Sequence, residues 1–238
     1  MHSDIRSGKR LASTAVPAAL VIVGVIVTGL ALKSAAGWTS TEMGVLRRVN
    51  LAHTPALDWF SLTIDWLFDP PLAAILVLLG AGSILLATRR PRTAIQFMAI
   101  VVVPWLGTEV VKLLVQRARP DIPSLAHVLV LEPGGLSFPS GHTSFAACFL
   151  LGFFVVARGR LWRPLLAGAA TVVVLGVACS RVYLGVHYPS DVAASIVYAI
   201  AGVTLADGIW SMLVVPHWSE RRPPADAVPG DRGAANVS

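Results

Sequence analysis

Charge is what this sequence has least of. Asp, Glu, Lys and Arg make up 13% of its 238 residues, against about 25% in an ordinary soluble domain. That deficit excludes a water-facing surface over the whole chain. Cysteine is nearly absent: Cys148 and Cys179 both lie in apolar runs. With no Cys-x-x-Cys pair and no Cys/His ligand spacing, neither a disulfide framework nor a zinc site is indicated. The acidic residues do not gather into a cluster able to hold magnesium. No metal and no other cofactor is expected. Internal repeats and low-complexity tracts are missing too.

What is present is apolar and comes in long runs. Hydrophobic residues reach 55% and the mean hydropathy is +0.71. A membrane span needs about 20 such residues. Six segments qualify or nearly do, at roughly 13–33, 70–88, 93–115, 142–157, 164–182 and 191–214. The fourth is short before Arg158. The expectation is an all-α, polytopic membrane bundle of six spans within residues 1–215. Residues 216–238, rich in Pro, Gly, Ala and charge, read as a disordered cytoplasmic tail.

The net charge is +6. No basic stripe carries interleaved aromatics, so nucleic acid is not an expected partner. The cations serve better as topology signals. With the N-terminus inside, Arg6, Lys9, Arg10, Arg89, Arg90, Arg92, Arg158, Arg160, Arg163, Arg221, Arg222 and Arg232 all fall on the cytoplasmic side. That is 12 of the 19 Lys and Arg, which favours both termini inside. Four cations, Lys112, Arg117, Arg119 and Arg181, then stand near outer span ends where topology does not ask for them. Ser34-Ala35-Ala36 before Gly37 resembles a signal-peptide cleavage site. The apolar run before it, about 18 residues, exceeds the usual 7–15-residue signal core, so an uncleaved span is favoured.

Residues 38–69 form the largest outer segment. They hold Trp38, Trp59, Phe60, Trp66 and Phe68, which suggests helices lying in the membrane interface between the first two spans. Such aromatics either anchor the chain or wall a route for a lipid.

Three polar motifs interrupt the apolar pattern. Lys112 and Arg119 are seven residues apart, two turns and about 10 Å along one helix face, and Pro120 marks where that helix yields to a loop. Either they snorkel to the interface or they meet an anion. Pro139-Ser140-Gly141-His142 opens the fourth span. Ser140 is placed as an N-cap, and the free N–H groups of a helix start attract anions. His142 beside such an anion is positioned to donate a proton, unless it is incidental to the cap. Ser180-Arg181 precedes His187 and Asp191. A carboxylate four residues after a histidine can accept its ring N–H and leave the other nitrogen as a nucleophile, or simply form an interfacial hydrogen bond. Arg181 offers a planar fork for phosphate oxygens. The charge count places all three motifs at the outer face.

Lys112-x6-Arg119-Pro120, Pro139-Ser140-Gly141-His142 and Ser180-Arg181-x5-His187-x3-Asp191 resemble the three signature motifs of the type-2 phosphatidic acid phosphatases. That superfamily also includes bacterial acid phosphatases, glucose-6-phosphatase and vanadium haloperoxidases. The resemblance implies that His187 attacks phosphorus and forms a phosphohistidine, with Asp191 orienting it. His142 would protonate the leaving alkoxide. Lys112, Arg119 and Arg181 would bind the phosphoryl oxygens, assisted by Ser140 and the Gly141 N–H.

The expected activity is hydrolysis of a lipid phosphate at the outer membrane face. Phosphatidic acid, phosphatidylglycerol phosphate and polyprenyl diphosphate are the candidate substrates. Phosphotransfer to a lipid or sugar hydroxyl is the alternative enzyme reading, and non-catalytic lipid binding or transport the alternative of another class. Membrane lipids and the lipid substrate are the expected partners; no feature of the sequence sets an oligomeric state. Glu109, one turn before Lys112, is expected to pair with it. Asp207 is expected near the inner interface without a catalytic role.

Overall fold

The computed structural model describes residues 2–132, 135–157 and 163–219, with 2–13 and 213–219 described by backbone path alone. It is all-helical apart from one 3₁₀ turn at Ile122–Ser124 and an isolated bridge between Ala118 and Leu136. Eight helices follow in order: α1 (His2–Ser34), α2 (Ala36–Asn50), α3 (Pro55–Leu67), α4 (Pro70–Thr88), α5 (Pro91–Val115), α6 (Gly141–Val156), α7 (Arg163–Tyr183) and α8 (Pro189–Ser219).

Local chemistry sets their ends. Proline opens α3, α4 and α5, where its missing N–H costs nothing. The Thr54 side chain caps α3 by accepting the Leu57 N–H. Arg89 and Gln116 stop α4 and α5 in the left-handed region, at φ 55° and 53°.

Among the described residues, five helices are long and apolar enough to cross a bilayer: Thr14–Ser34 of α1, then α4, α5, α7 and Pro189–Met212 of α8. The shorter α6 has 16 residues, about 24 Å of helix, and stands where the fourth of six spans was expected. It packs against α5, α7 and α8. Around it lies the main core, including Phe97, Val101, Phe145, Ala146, Val177, Ala199 and Val203. α1 packs along α8 and also meets α5, with Gly29 so close to Phe138 that a Cβ would lie 2.5 Å from its ring.

The outward faces are apolar as well. Leu86 is 74% exposed, Val172 72% and Leu113 66%. In water such helices would aggregate; in a bilayer they face hydrocarbon. The two helices of the 38–69 segment are α2 and α3, which lie between the first two spans as expected. α8 runs to Ser219, past the boundary drawn at 215, and residues 220–238 of the proposed tail lie outside the described residues. Gln96 donates to Asp207 at 2.7 Å, which gives that intramembrane acid a polar partner.

Candidate active site

One end of the bundle gathers the last turn of α5, the first turn of α6, the last turn of α7 and the first turn of α8. Lys112 comes from α5, Gly141 and His142 from α6, Arg181 from α7 and Asp191 from α8. His187 sits in the turn between α7 and α8. That turn needs Gly185, whose φ is 73° and whose Cβ would collide with Leu125. α3 brings Asp65 to the same place, and the loop after α5 brings Arg119 and Glu132. At this end lies a cavity of about 460 Å³. Its polar wall includes His187, His142, Lys112, Arg119, Asp65 and Glu132; Phe68, Trp105 and Leu106 supply apolar wall. Arg181 and Asp191 are buried behind its wall and do not line it, so Arg181, expected to bind the phosphoryl oxygens, stands one layer back.

His187 is buried and held from behind. Its Nδ1 lies 2.8 Å from the Ser137 carbonyl oxygen. A carbonyl only accepts, so Nδ1 carries the proton and Nε2 keeps its lone pair. Nε2 faces the Arg119 guanidinium at 3.4 Å. Burial pushes the His187 pKa well below the usual histidine value of 6.5, and the charges of Arg119, Arg181 and Lys112 push it the same way. The imidazole is therefore neutral at physiological pH.

Each site cation rests on a carboxylate. Lys112 Nζ pairs with Glu109 Oε1 at 2.7 Å, the local pair expected from their spacing. Arg181 is fully buried and donates to Asp65 Oδ1 at 2.5 Å and Glu132 Oε1 at 3.0 Å. Arg119 pairs with the other oxygen of Glu132 and donates to the Val186 carbonyl at 3.0 Å. The Glu132 carboxylate thus bridges two arginines. The Nε–H groups of Arg119 and Arg181 are buried with no acceptor among the described residues. His142 Nε2 lies 3.2 Å from the Asp65 carbonyl oxygen. Among the described residues no group of His, Cys, Asp and Glu is disposed to hold a metal ion.

The PAP2 superfamily model matches residues 92–213, just over half of the chain and every motif residue named above. The chain belongs to the PAP2 superfamily. A decaprenylphosphoryl-5-phosphoribose phosphatase of Mycobacterium tuberculosis is 39% identical over 137 residues, covering 57% of this chain and 70% of the relative. Phosphatidylglycerophosphatase B of Bacillus subtilis is 31% identical over 129 residues, covering 51% and 59%. Among solved structures, a transmembrane PAP2-type phosphatidylglycerolphosphate phosphatase from Bacillus subtilis aligns with a TM-score of 0.62 at 23% identity, over 86% of this chain and 98% of that one. This PAP2 chain is a multi-pass membrane protein with the fold of that enzyme.

The geometry corrects three further expectations. Lys112 and Arg119 do not share a helix face, because left-handed Gln116 ends α5 before Arg119; Arg119 approaches from the loop instead. Asp191 does not take the His187 ring proton: its Oδ2 stands 3.6 Å from Nδ1 and accepts the Tyr188 N–H at 2.9 Å. Ser140 is buried, and its hydroxyl accepts the Thr143 N–H at 3.4 Å as a cap, so Gly141 rather than Ser140 lines the cavity. Asp65, Glu132 and Ser137 escaped sequence reasoning. Asp65 carried a signal, a lone acid in an apolar aromatic stretch, but Ser137 acts through its backbone and has no signature at all.

Proposed function

We propose that this PAP2 protein is a metal-independent lipid phosphatase working through a phosphohistidine on His187. The observation that carries the reading is the state of that ring: neutral, its Nδ1 proton held by a carbonyl, its Nε2 lone pair facing a guanidinium in a cavity. A structural histidine has no use for a guanidinium facing its free nitrogen across a cavity.

Substrate phosphate enters between Lys112, Arg119 and the Gly141 N–H, displacing Glu132 from the arginines. The Nε2 lone pair forms the N–P bond as the P–O bond to the leaving alkoxide breaks. His142 gives that oxygen its proton. The cations stabilise the charge on the equatorial oxygens, and they do so best in a site already closed to water. Phosphorylated His187 keeps its Nδ1 proton and becomes cationic, which Asp191 at 3.6 Å stabilises. Neutral His142 then takes a proton from water as it attacks phosphorus, and the N–P bond breaks to free phosphate and the imidazole.

The substrate is a lipid because Phe68, Trp105 and Leu106 give the cavity an apolar wall beside helices that face hydrocarbon. The candidates are phosphatidic acid, phosphatidylglycerol phosphate, polyprenyl diphosphate and, from the mycobacterial relative, a polyprenylphosphoryl pentose phosphate. The cation count further supports a site at the outer face with both termini cytoplasmic.

The test is phosphate release from this panel by detergent-purified protein. His187→Ala is expected to abolish release, and His142→Ala to lower it by about 10²–10⁴-fold, the worth of a general acid. Retained turnover in His187→Ala would sink the mechanism. Acid-labile ³²P on wild-type protein but not on His187→Ala is the accompanying expectation.

A further inference from the structure

We infer that Arg117, an unspecified position inside the first motif, is the residue that positions the nucleophile. This rests on the phosphohistidine reading above.

Arg117 lies two residues before Arg119 but serves the opposite side of the ring. It is 3% exposed and does not line the cavity. Its Nη1 donates to Asp191 Oδ1 at 2.7 Å and to Ser190 Oγ at 2.8 Å. Its Nη2 donates to Glu42 Oε2 at 2.7 Å, and its guanidinium lies over the Tyr188 ring, 4.2 Å from the centroid. Glu42 comes from α2 and is itself 4% exposed. Its carboxylate also accepts the Ser190 N–H at 2.8 Å and the Ser190 hydroxyl at 3.0 Å. One cation thus joins α2 to the first turn of α8 and satisfies the buried Asp191.

The backbone of Arg117 reaches the ring by a second route. Its carbonyl accepts the Ser137 N–H at 2.9 Å, and the Ser137 carbonyl takes the Nδ1 proton of His187 at 2.8 Å. The bridge between Ala118 and Leu136 fixes this pairing. Side chain and main chain of one residue therefore set both groups behind Nδ1: the carbonyl that holds the proton and the carboxylate that faces the charge.

Two buried carboxylates around one guanidinium are costly unless each is paired. Without the guanidinium, Asp191 loses the arginine that is ion-paired with it and either takes a proton or turns away. Either change removes a charge needed when the ring becomes cationic, not when substrate binds. Arg117 should therefore govern kcat and leave KM alone, whereas Arg119, which touches the phosphate, should move both.

The experiment compares Arg117→Gln, Arg117→Lys, Arg119→Gln and His187→Ala in the full-length detergent-purified protein. Its readouts are kcat, KM and inhibition by inorganic phosphate. Arg117→Gln is expected to lower kcat by about 100-fold, less than the ~10⁴-fold lost with the aspartate of a Ser–His–Asp triad. KM and phosphate inhibition should stay within about threefold. Arg117→Lys should recover part of kcat, since one ammonium can serve Asp191 but not span to Glu42. If Arg117→Gln does not fold, Glu42→Gln/Arg117→Gln removes the orphaned charge as well, and its kcat should still be low. Wild-type kcat in either folded Gln variant overturns the inference, as does a loss carried by KM and phosphate affinity. Turnover surviving in His187→Ala instead sinks the phosphohistidine reading, whatever Arg117→Gln does.

Discussion

In the proposed mechanism His187 would owe its reactivity to the charges in front of it as much as to the carbonyl behind it. Burial and the three cations hold its pKa well below 6.5, so the ring stays neutral as pH falls through that value. The acidic limb of kcat/KM, which reports the free enzyme, should lie below it. Replacing Arg119 with Gln removes the charge 3.4 Å from Nε2. The His187 pKa then rises and the limb moves to higher pH. Profiles of both proteins on one substrate check this, because the ionisation of the substrate is common to both. A limb that stays in place or moves to lower pH would contradict it. Glu132 supplies a second residue-scale test. Substrate must displace its carboxylate from Arg119 and Arg181. Glu132→Gln leaves a neutral, weaker acceptor, so vanadate should inhibit about tenfold more tightly, given ~1.4 kcal/mol less to displace. Weaker inhibition would mean that Glu132 helps to hold the anion. At this scale the motif residues were legible because each carries an unusual side chain into an apolar context. Their partners were not, because Glu42 and Arg117 lie 75 residues apart and Asp65 and Arg181 lie 116 apart, and no local spacing encodes such pairs.

The helix that presents Gly141 and His142 is closely packed at its middle. α6 meets α5 at Gly152, where a Cβ would lie 2.6 Å from Val101 Cγ2 and 3.1 Å from the Phe97 ring. Both neighbours are fully buried, and a β-branched valine has little rotamer freedom with which to yield. Gly152→Ala therefore overpacks the contact at about 1–3 kcal/mol, more than the ~1 kcal/mol that alanine gains in helix propensity. The expected result is a lower unfolding temperature in detergent, read by tryptophan fluorescence; an unchanged or raised temperature would show that α5 and α6 separate easily. Helices were the most legible level. The run at 70–88 coincides with α4, and α5, α6, α7 and α8 begin or end within about two residues of the expected positions. The third apolar run ends at 115, as α5 does. What the sequence hid was that the polar stretch on to Pro120 does not continue the helix, because Gln116 adopts φ 53°, a conformation that glutamine does not advertise.

At the scale of the whole molecule, function depends on which side of the bilayer the site faces. The site end contains the loop from Gln116 to Ser140, and the opposite end contains the α4–α5 turn with Arg89, Arg90 and Arg92. Lys112, Arg117, Arg119 and Arg181 reduce the charge contrast between the two ends, yet each has a carboxylate partner at the site: Glu109, Glu42 with Asp191, Glu132, and Asp65 with Glu132. Counted as internal ion pairs they exert little pull on orientation, and the remaining cations favour the α4–α5 turn inside. This can be measured with cysteine substitutions in a Cys148→Ala/Cys179→Ala background. Ser124→Cys lies in the site-end loop and Arg90→Cys in the α4–α5 turn, both at exposed positions. A membrane-impermeant maleimide applied to intact cells should label the former and reach the latter only after the membrane is opened. Vanadate in the outer medium should then inhibit turnover in right-side-out vesicles without entering them. The reverse labelling pattern would put the phosphatase site in the cytoplasm, and the substrate headgroup would have to be sought in the inner leaflet.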